Sequence, residues 1–570
     1  MTTKQTKRKI NRLPVLANND TKKEVNNFYE GDDLLQKLLK NRLNPVFFAY
    51  ADRELFRFGK LCANEIDERA RHTDREGEPK LIKYDAYGND ISKVWVNEGY
   101  KKTVIETYQT GIVGYIHKEI SEIKQKGNYV YSFAQNYLLA QAEPGFQCPV
   151  TLTMATAYLL DHYAEGKVRE KFLPHVLSTG EVELYEGATF LTERQGGSDV
   201  GANVVEAIEE NGMYRLYGEK YFASNAGQAG VVMVLARRDG AQSGSRGLTL
   251  FAVPWRDDDG NLNQIQIRRL KDKLGVKAVP SGEVEFHGSA AYIVGDPERG
   301  LYYMLEALNL SRINNAVASL GIMKRALNEA KAYTKKRDAF GRRLVEYPMI
   351  KDTLAKLTAK LTVEVATTFD LIDLYDLVTD GKSTKEDNLL HRLYIALIKK
   401  ETAEKSIEFA HESIELHGGN GYIEDFVTPR LLRDAQVLTV WEGTENILGL
   451  EVVRLISRFD THLLYIKDMQ RRLDKLPTTD LKTIVEKEFV KVTSNLHTFK
   501  ELDYDRQTFE SKRIAEEMIY VYEGIIGLEI AEKHGSKYEM IAEIYIETTW
   551  NLREIGAEMK TVKYFDEIIN

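Results

Sequence analysis

Along the first third of the chain apolar residues return every three or four positions, the spacing of one face of a helix. "FAYADRELFRFGKLCANEIDERAR" from Phe48, "YVYSFAQNYLLAQAE" from Tyr129 and "PVTLTMATAYLLDHY" from Pro149 all carry it. Then the period changes. "GMYRLYGEKYFASN", "GVVMVLARRD", "GLTLFAVPW" and "SGEVEFHGSAAYIVG" alternate or are β-branched, with Gly, Asp and Asn between them, which predicts short strands. The helical period resumes at Gly300 and persists through "RIAEEMIYVYEGIIGLEIAEKH" near the end. The pattern predicts a mainly α chain with an inserted β-domain. Its segments are a polar N-terminal arm (1–45), a helical N-domain (46–185), the β-domain (186–295), a helical C-domain (296–458) and a helical C-terminal extension (459–570).

Composition narrows the class. The 570 residues include 43% apolar and 29% charged side chains, the profile of a water-soluble globular protein. With 78 basic and 86 acidic residues the net charge is −8, which favours neither nucleic acid nor an anionic membrane. Cys62 and Cys148 have no metal-type spacing, so a disulfide-free, cytoplasmic protein is expected. "MTTKQTKRKINRLPVL" lacks the apolar region of a secretion signal, and no apolar run is long enough to span a membrane.

Three stretches carry candidate chemistry. "LTVWEGTENILGLEVVRLI", Leu438 to Ile456, places Glu442, Gly443 and Thr444 in an apolar setting. One reading is helix punctuation, with Thr444 as N-cap of a helix beginning near Glu445. The other makes Glu442 a desolvated general base, because a carboxyl among apolar groups has a raised pKa and accepts a proton from a weak carbon acid more readily. "TFLTERQGGSDVGAN" sets Thr192 and Ser198 around Gly196-Gly197, where backbone can approach a ligand closely. "EKYFASNAG" puts Phe222 two residues before Ser224, an aromatic plane beside a hydroxyl that suits a flat heteroaromatic ligand. Each alone also reads as an ordinary turn or strand end.

Taken in order, these stretches resemble the acyl-CoA dehydrogenase superfamily from about residue 100 to 458. The matching pieces are Leu191-Thr192-Glu193 with Gly197-Ser198-Asp199, Phe222-Ala223-Ser224-Asn225, Arg337-Asp338-Ala339-Phe340-Gly341 after a long helix containing Arg312, "HGGNGY" from His417, Arg433-Asp434, and Trp441-Glu442-Gly443-Thr444. The resemblance implies a helical N-domain, a β-barrel middle domain and a four-helix-bundle C-domain, here with an extra helical tail. It implies FAD-dependent α,β-dehydrogenation of an acyl-CoA thioester, with Glu442 removing the α-proton and flavin N5 accepting the β-hydride. Leu191, Thr192, Phe222 and Ser224 correspond to residues around the isoalloxazine, and Ser198 to a cofactor-side residue near the pantetheine thioester end. Arg337, Phe340, Gly418, Gly419, Thr444 and Asn446 correspond to residues that hold the ADP half of FAD, several of them reaching it from a neighbouring subunit. Ser198, Arg312 and Gly443 are the substrate-side positions. Some members carry the base just before the arginine corresponding to Arg312; here that position is Ser311, which cannot serve. An electron-transfer flavoprotein or similar acceptor and a homodimer or homotetramer are the implied partners.

Departures point to one branch. Pro348 and Glu415 stand where many members have Gln, and Asn309 where straight-chain enzymes often have Asp. With the long tail, these changes look more like the AidB-type branch, which leaves an oxidase or stress-response flavoprotein without CoA as the alternative. That branch includes a protein associated with DNA through a basic C-terminal surface. Residues 451–570 here hold 18 Lys and Arg against 23 Asp and Glu, a net −5, so nucleic-acid binding is not expected. No metal is expected either. His411 and His417 fall on different helix faces with no third ligand, "RDDDGN" from Arg256 reads as a turn, and His117, His162 and His175 read as structural.

Overall fold

The computed structural model describes residues 25–569. The first helices are Asp33–Arg42 and Pro45–Leu61, the latter running through a π-turn at Cys62–Ile66 into Asp67–Arg75. The expected polar arm is therefore only part of the story. Residues 1–24 lie outside the described residues, and within 25–45 Leu34, Leu35, Leu38 and Leu39 form the buried face of a helix capped by Asp32. The N-domain is also not wholly helical, because Lys80–Tyr84 and Asp90–Trp95 form an antiparallel hairpin. Tyr129–Ala142 and Pro144–Tyr163 are buried on nearly every side, so the period in their sequence marks no solvent face and their polar residues lie in the core.

The β-domain is a closed barrel with two appended strands. Ser281–Ile293 pairs with Met213–Ser224, which pairs with Glu206–Glu210, then Ala229–Arg238, then Leu248–Pro254, which returns to Ser281–Ile293. Ile265–Leu270 and Glu186–Phe190 add to the outside of this ring. Closure removes the free edges that an open sheet would expose. The barrel is clamped to the helices behind it at one place that matters for the site. The Val276 N–H donates to Asp434 Oδ1 at 2.5 Å, and Gly275 lies so close to the Arg433 carbonyl that a Cβ would sit 2.4 Å from it.

The C-domain packs the long helices Gly300–Lys336, Pro348–Thr379 and Lys385–His417 with Thr428–Leu438 and Glu445–Phe459. The extension, chiefly Thr461–Leu473, Asp480–Glu501, Tyr504–His534 and Ser536–Thr549, lies against this bundle and buries Ile519, Tyr522, Ile526, Ile541 and Tyr545. One polar knot fastens the two. Lys360 of the bundle lies 2.9 Å from Glu364, 2.7 Å from Glu401 and 2.8 Å from Glu523 of the extension. These three buried carboxylates are the group among the described residues with metal-like spacing, and an ammonium occupies their midst. No helix of the described residues is long and apolar enough to cross a membrane.

Candidate active site

Glu442 sits in the turn between the helices Thr428–Leu438 and Glu445–Phe459. The helix starts at Glu445 with Thr444 in the N-cap position, yet the Thr444 side chain makes no capping bond. Punctuation thus explains where the helix begins and leaves the hydroxyl unused. What shapes the turn is backbone conformation. Glu442 has φ 61° and Gly443 φ 105°, two consecutive left-handed residues. A glycine tolerates this without cost, and a Cβ at 443 would also press on Ile447 Cγ2 at 3.2 Å. For Glu442 the same conformation is strained.

Two cations from separate helices hold that turn. Arg312 Nε donates to the Glu442 carbonyl at 2.9 Å, and Lys399 Nζ donates to the Gly443 carbonyl at 2.7 Å. Among the described residues the Glu442 N–H donates to no acceptor. The Glu442 side chain is half-buried. Loss of solvation raises its carboxyl pKa above the ordinary value, and the charges of Arg312 and Lys399 pull the other way.

The barrel supplies the opposite half. Ser224 ends the strand Met213–Ser224, its Oγ 3.2 Å from Ser281 Oγ. Lys273 Nζ donates to the Val276 and Val279 carbonyls at 2.9 and 2.6 Å and reaches Ser281 Oγ at 3.4 Å. Burial draws the Lys273 ammonium down to about 8. Phe222 stands 57% exposed, with the Lys271 ammonium 4.9 Å from its ring centre. The Leu191–Asn203 loop is tied by a buried pair, Glu193 and Lys220 at 2.7 Å, with Glu193 also accepting from the Val204 and Val205 N–H groups. Gly197 lets that loop fold tightly on Thr192, since a Cβ would lie 2.5 Å from the threonine hydroxyl. Ser198 at its tip is exposed. The Cys148 thiol, pushed up to about 12 by burial, feels both Lys273 and Glu442, so the helix Pro144–Tyr163 forms a wall common to the two halves.

A second recess lies apart. A cavity of about 570 Å³ is lined by Tyr333, Arg337, Ala339, Glu415, Gly418 and Gly419, among others. Among the described residues Arg337 has no ion-pair partner, so its guanidinium is available to an anion. Glu412 and Glu415 share the lining, which gives the recess both signs of charge. Phe340 projects beyond it, 98% exposed with φ 50°. Thr444 and Asn446, assigned by resemblance to the same ligand half, do not line this cavity; they are exposed beside the Glu442 turn. The sequence reading missed Lys399 and Lys273. Each stands in a run of charge, Lys399-Lys400 and Lys271-Asp272-Lys273, that reads as a solvated face.

Three family models match the chain. Residues 18–180 match the adaptive response protein AidB N-terminal domain, 188–289 the acyl-CoA dehydrogenase middle domain, and 298–456 the acyl-CoA dehydrogenase C-terminal domain. Acyl-CoA dehydrogenase family member 11 of Caenorhabditis elegans is 33% identical over 82% of this chain and 76% of its own length. This chain belongs to the acyl-CoA dehydrogenase family, in its AidB-like branch. Putative acyl-CoA dehydrogenase AidB of Escherichia coli is 31% identical over 67% of this chain and 69% of its own. The crystal structure of Caenorhabditis elegans ACDH-11 in complex with C11-CoA superposes with a TM-score of 0.85 at 29% identity, covering 92% of this chain and 91% of that one.

Proposed function

We propose that this enzyme dehydrogenates an acyl-CoA thioester across its Cα–Cβ bond, with FAD as cofactor and Glu442 as the base. The observation that carries the reading is Glu442 itself, a half-buried carboxylate of raised pKa on a turn that two cations hold by its carbonyls. An α-proton beside a thioester is a weak acid, and raising the pKa of the base narrows the gap it must bridge. The Glu442 N–H, free of any acceptor among the described residues, is available to the thioester oxygen as charge builds on it.

FAD, when bound, takes the β-hydrogen as hydride, and the electron pair left at Cα becomes the new double bond. The residues fit that cofactor. Phe222 would pack on its ring system, Ser224 would turn its hydroxyl to N5, Leu191 and Thr192 would hold the pyrimidine edge, and Arg337 with Gly418 and Gly419 would line a recess for the diphosphate. Thr444 and Asn446 do not line that recess, and in the homodimer or homotetramer that the resemblance implies the two sets would serve different copies of the cofactor. An electron-transfer flavoprotein or similar acceptor would take up the electrons.

The test is anaerobic. Short, branched, aromatic and long acyl-CoAs are added to the yellow protein, and loss of oxidised-flavin absorbance is followed. One class is expected to bleach it, and Glu442→Gln to slow bleaching by about 10²–10⁴-fold. Unchanged bleaching in that variant removes Glu442 as base. A wild-type protein that dithionite reduces but no thioester bleaches belongs to the alternative, a flavoprotein of this fold without CoA.

A further inference from the structure

The Glu442 turn is strained backbone in a place where small displacements move the carboxylate, so what holds it bears on catalysis. Arg312 grips one carbonyl, and Lys399 grips the next. Lys399 comes from the middle of the helix Lys385–His417 and is 1% exposed. Buried lysines ordinarily meet a carboxylate in direct contact. Lys399 makes no such ion pair among the described residues, and its hydrogen bond goes to the Gly443 carbonyl. The neighbouring Lys400 takes the local carboxylates instead, Glu404 at 3.1 Å and Glu445 at 3.2 Å.

We propose that Lys399 is a positioning residue, which locks the Glu442–Gly443 turn in its left-handed form and, by its charge, sets the pH at which Glu442 can accept a proton. The inference rests on the reading of Glu442 as base. The groups facing the pair are few. Arg312 comes from the helix Gly300–Lys336 and itself feels Glu451, Arg392 and Arg454; Glu404 shares the helix of Lys399; Cys148 faces Glu442 from the helix Pro144–Tyr163. Arginines keep their charge and the Cys148 thiol keeps its proton, titrating only at about 12; burial raises Glu404 too, but it pairs with Lys400, and the charges that act on Glu442 are those of Arg312 and Lys399. Burial draws the Lys399 ammonium down to about 7, with Glu442 opposing the shift. Lys399 is therefore the group beside the base whose charge changes near neutrality.

Three variants of the FAD-loaded protein separate the two roles. Lys399→Met keeps the stem and removes donor and charge. Lys399→Gln keeps a donor without charge, and Lys399→Arg keeps both. The readouts are hydrogen exchange across residues 439–447 without substrate, and the pH profile of anaerobic flavin reduction at saturating thioester. Lys399→Met is expected to speed exchange by about tenfold, the factor for losing one buried charge-assisted hydrogen bond. It is also expected to slow reduction with little change in the half-saturating thioester concentration. Loss of an opposing charge raises the pKa of Glu442, so the acid limb moves up by about 1 pH unit. Lys399→Gln restores slow exchange but not the pH midpoint, and Lys399→Arg restores both. A folded Lys399→Met with wild-type exchange and midpoint overturns the proposal. Should Lys399→Met not fold, an unshifted midpoint in Lys399→Gln overturns the electrostatic role. If no thioester reduces the wild type, the base reading fails, while exchange still judges the lock.

Discussion

Replacing Lys360 with Met should loosen the C-terminal extension from the bundle, and the effect should grow with pH. The ammonium lies within 3 Å of three carboxylates, Glu364, Glu401 and Glu523, whose side chains are 0%, 2% and 2% exposed. One cation cannot neutralise three buried anions. Accordingly burial raises Glu364 to about 8, so it keeps its proton through neutrality while Lys360 pairs with the others. Methionine fills the stem of Lys360 but leaves two further carboxylates to be neutralised by protons. Holding one glutamate protonated at pH 7, some 2.5 units above its ordinary value, costs about 3.4 kcal/mol. The variant should therefore lose about 3–7 kcal/mol of docking stability at pH 7, for one or two added protons, and only about 1 kcal/mol at pH 5. The sign follows from linkage. Groups whose folded-state pKa is raised bind more protons folded than unfolded between about 4.5 and 8, so stability falls as pH rises through that window. Hydrogen exchange and limited proteolysis of residues 504–549 at pH 5 and pH 8 measure it. Equal protection of variant and wild type at pH 8 would refute the charge argument.

Three further outcomes follow from the site. Gly443→Ala forces a Cβ into left-handed backbone and against Ile447, at about 1–2 kcal/mol, and should lower the rate of flavin reduction more than it lowers the melting temperature. Arg337→Ala should weaken FAD binding by about 10–100-fold, read as loss of yellow colour on dilution, without changing the fold by circular dichroism. Because the Glu442 carboxyl is held above its ordinary value by burial, its charged form is the disfavoured one in the folded protein; Glu442→Gln should melt no lower than wild type at pH 8, as differential scanning calorimetry will show.

How much of this was legible in the chain depended on whether the information was local. The strand Met213–Ser224 announces itself by mixing apolar and polar positions, and Ala229–Arg238, Leu248–Pro254 and Ser281–Ile293, buried along most of their length, by β-branched and apolar runs set between Gly, Asp and Asn. Glu206–Glu210 does not, because four of its five residues are exposed and three are glutamates, and Glu186–Phe190 does not, because Glu186, Gly187 and Thr189 leave it no apolar run. The Asp33–Arg42 helix hid its four buried leucines among lysines and acids that made the segment read as polar. At the site, Glu442, Gly443 and Ser224 were visible as residue types out of place in their apolar surroundings, and resemblance gave them roles.

What no reading along the chain could supply was which groups hold the turn. A left-handed glutamate looks like any other glutamate, and Lys399 is one cation in a helix rich in them. Its meaning comes from the register of the helix Lys385–His417 against the Glu442 turn, a long-range packing result. That register turns Lys399 inward to the Gly443 carbonyl and its neighbour Lys400 toward Glu404 and Glu445. Adjacent residues of a helix point about 100° apart, so two identical side chains acquire different tasks. The catalytic side chain is written in the sequence, and the geometry that makes it a base is set by the bundle.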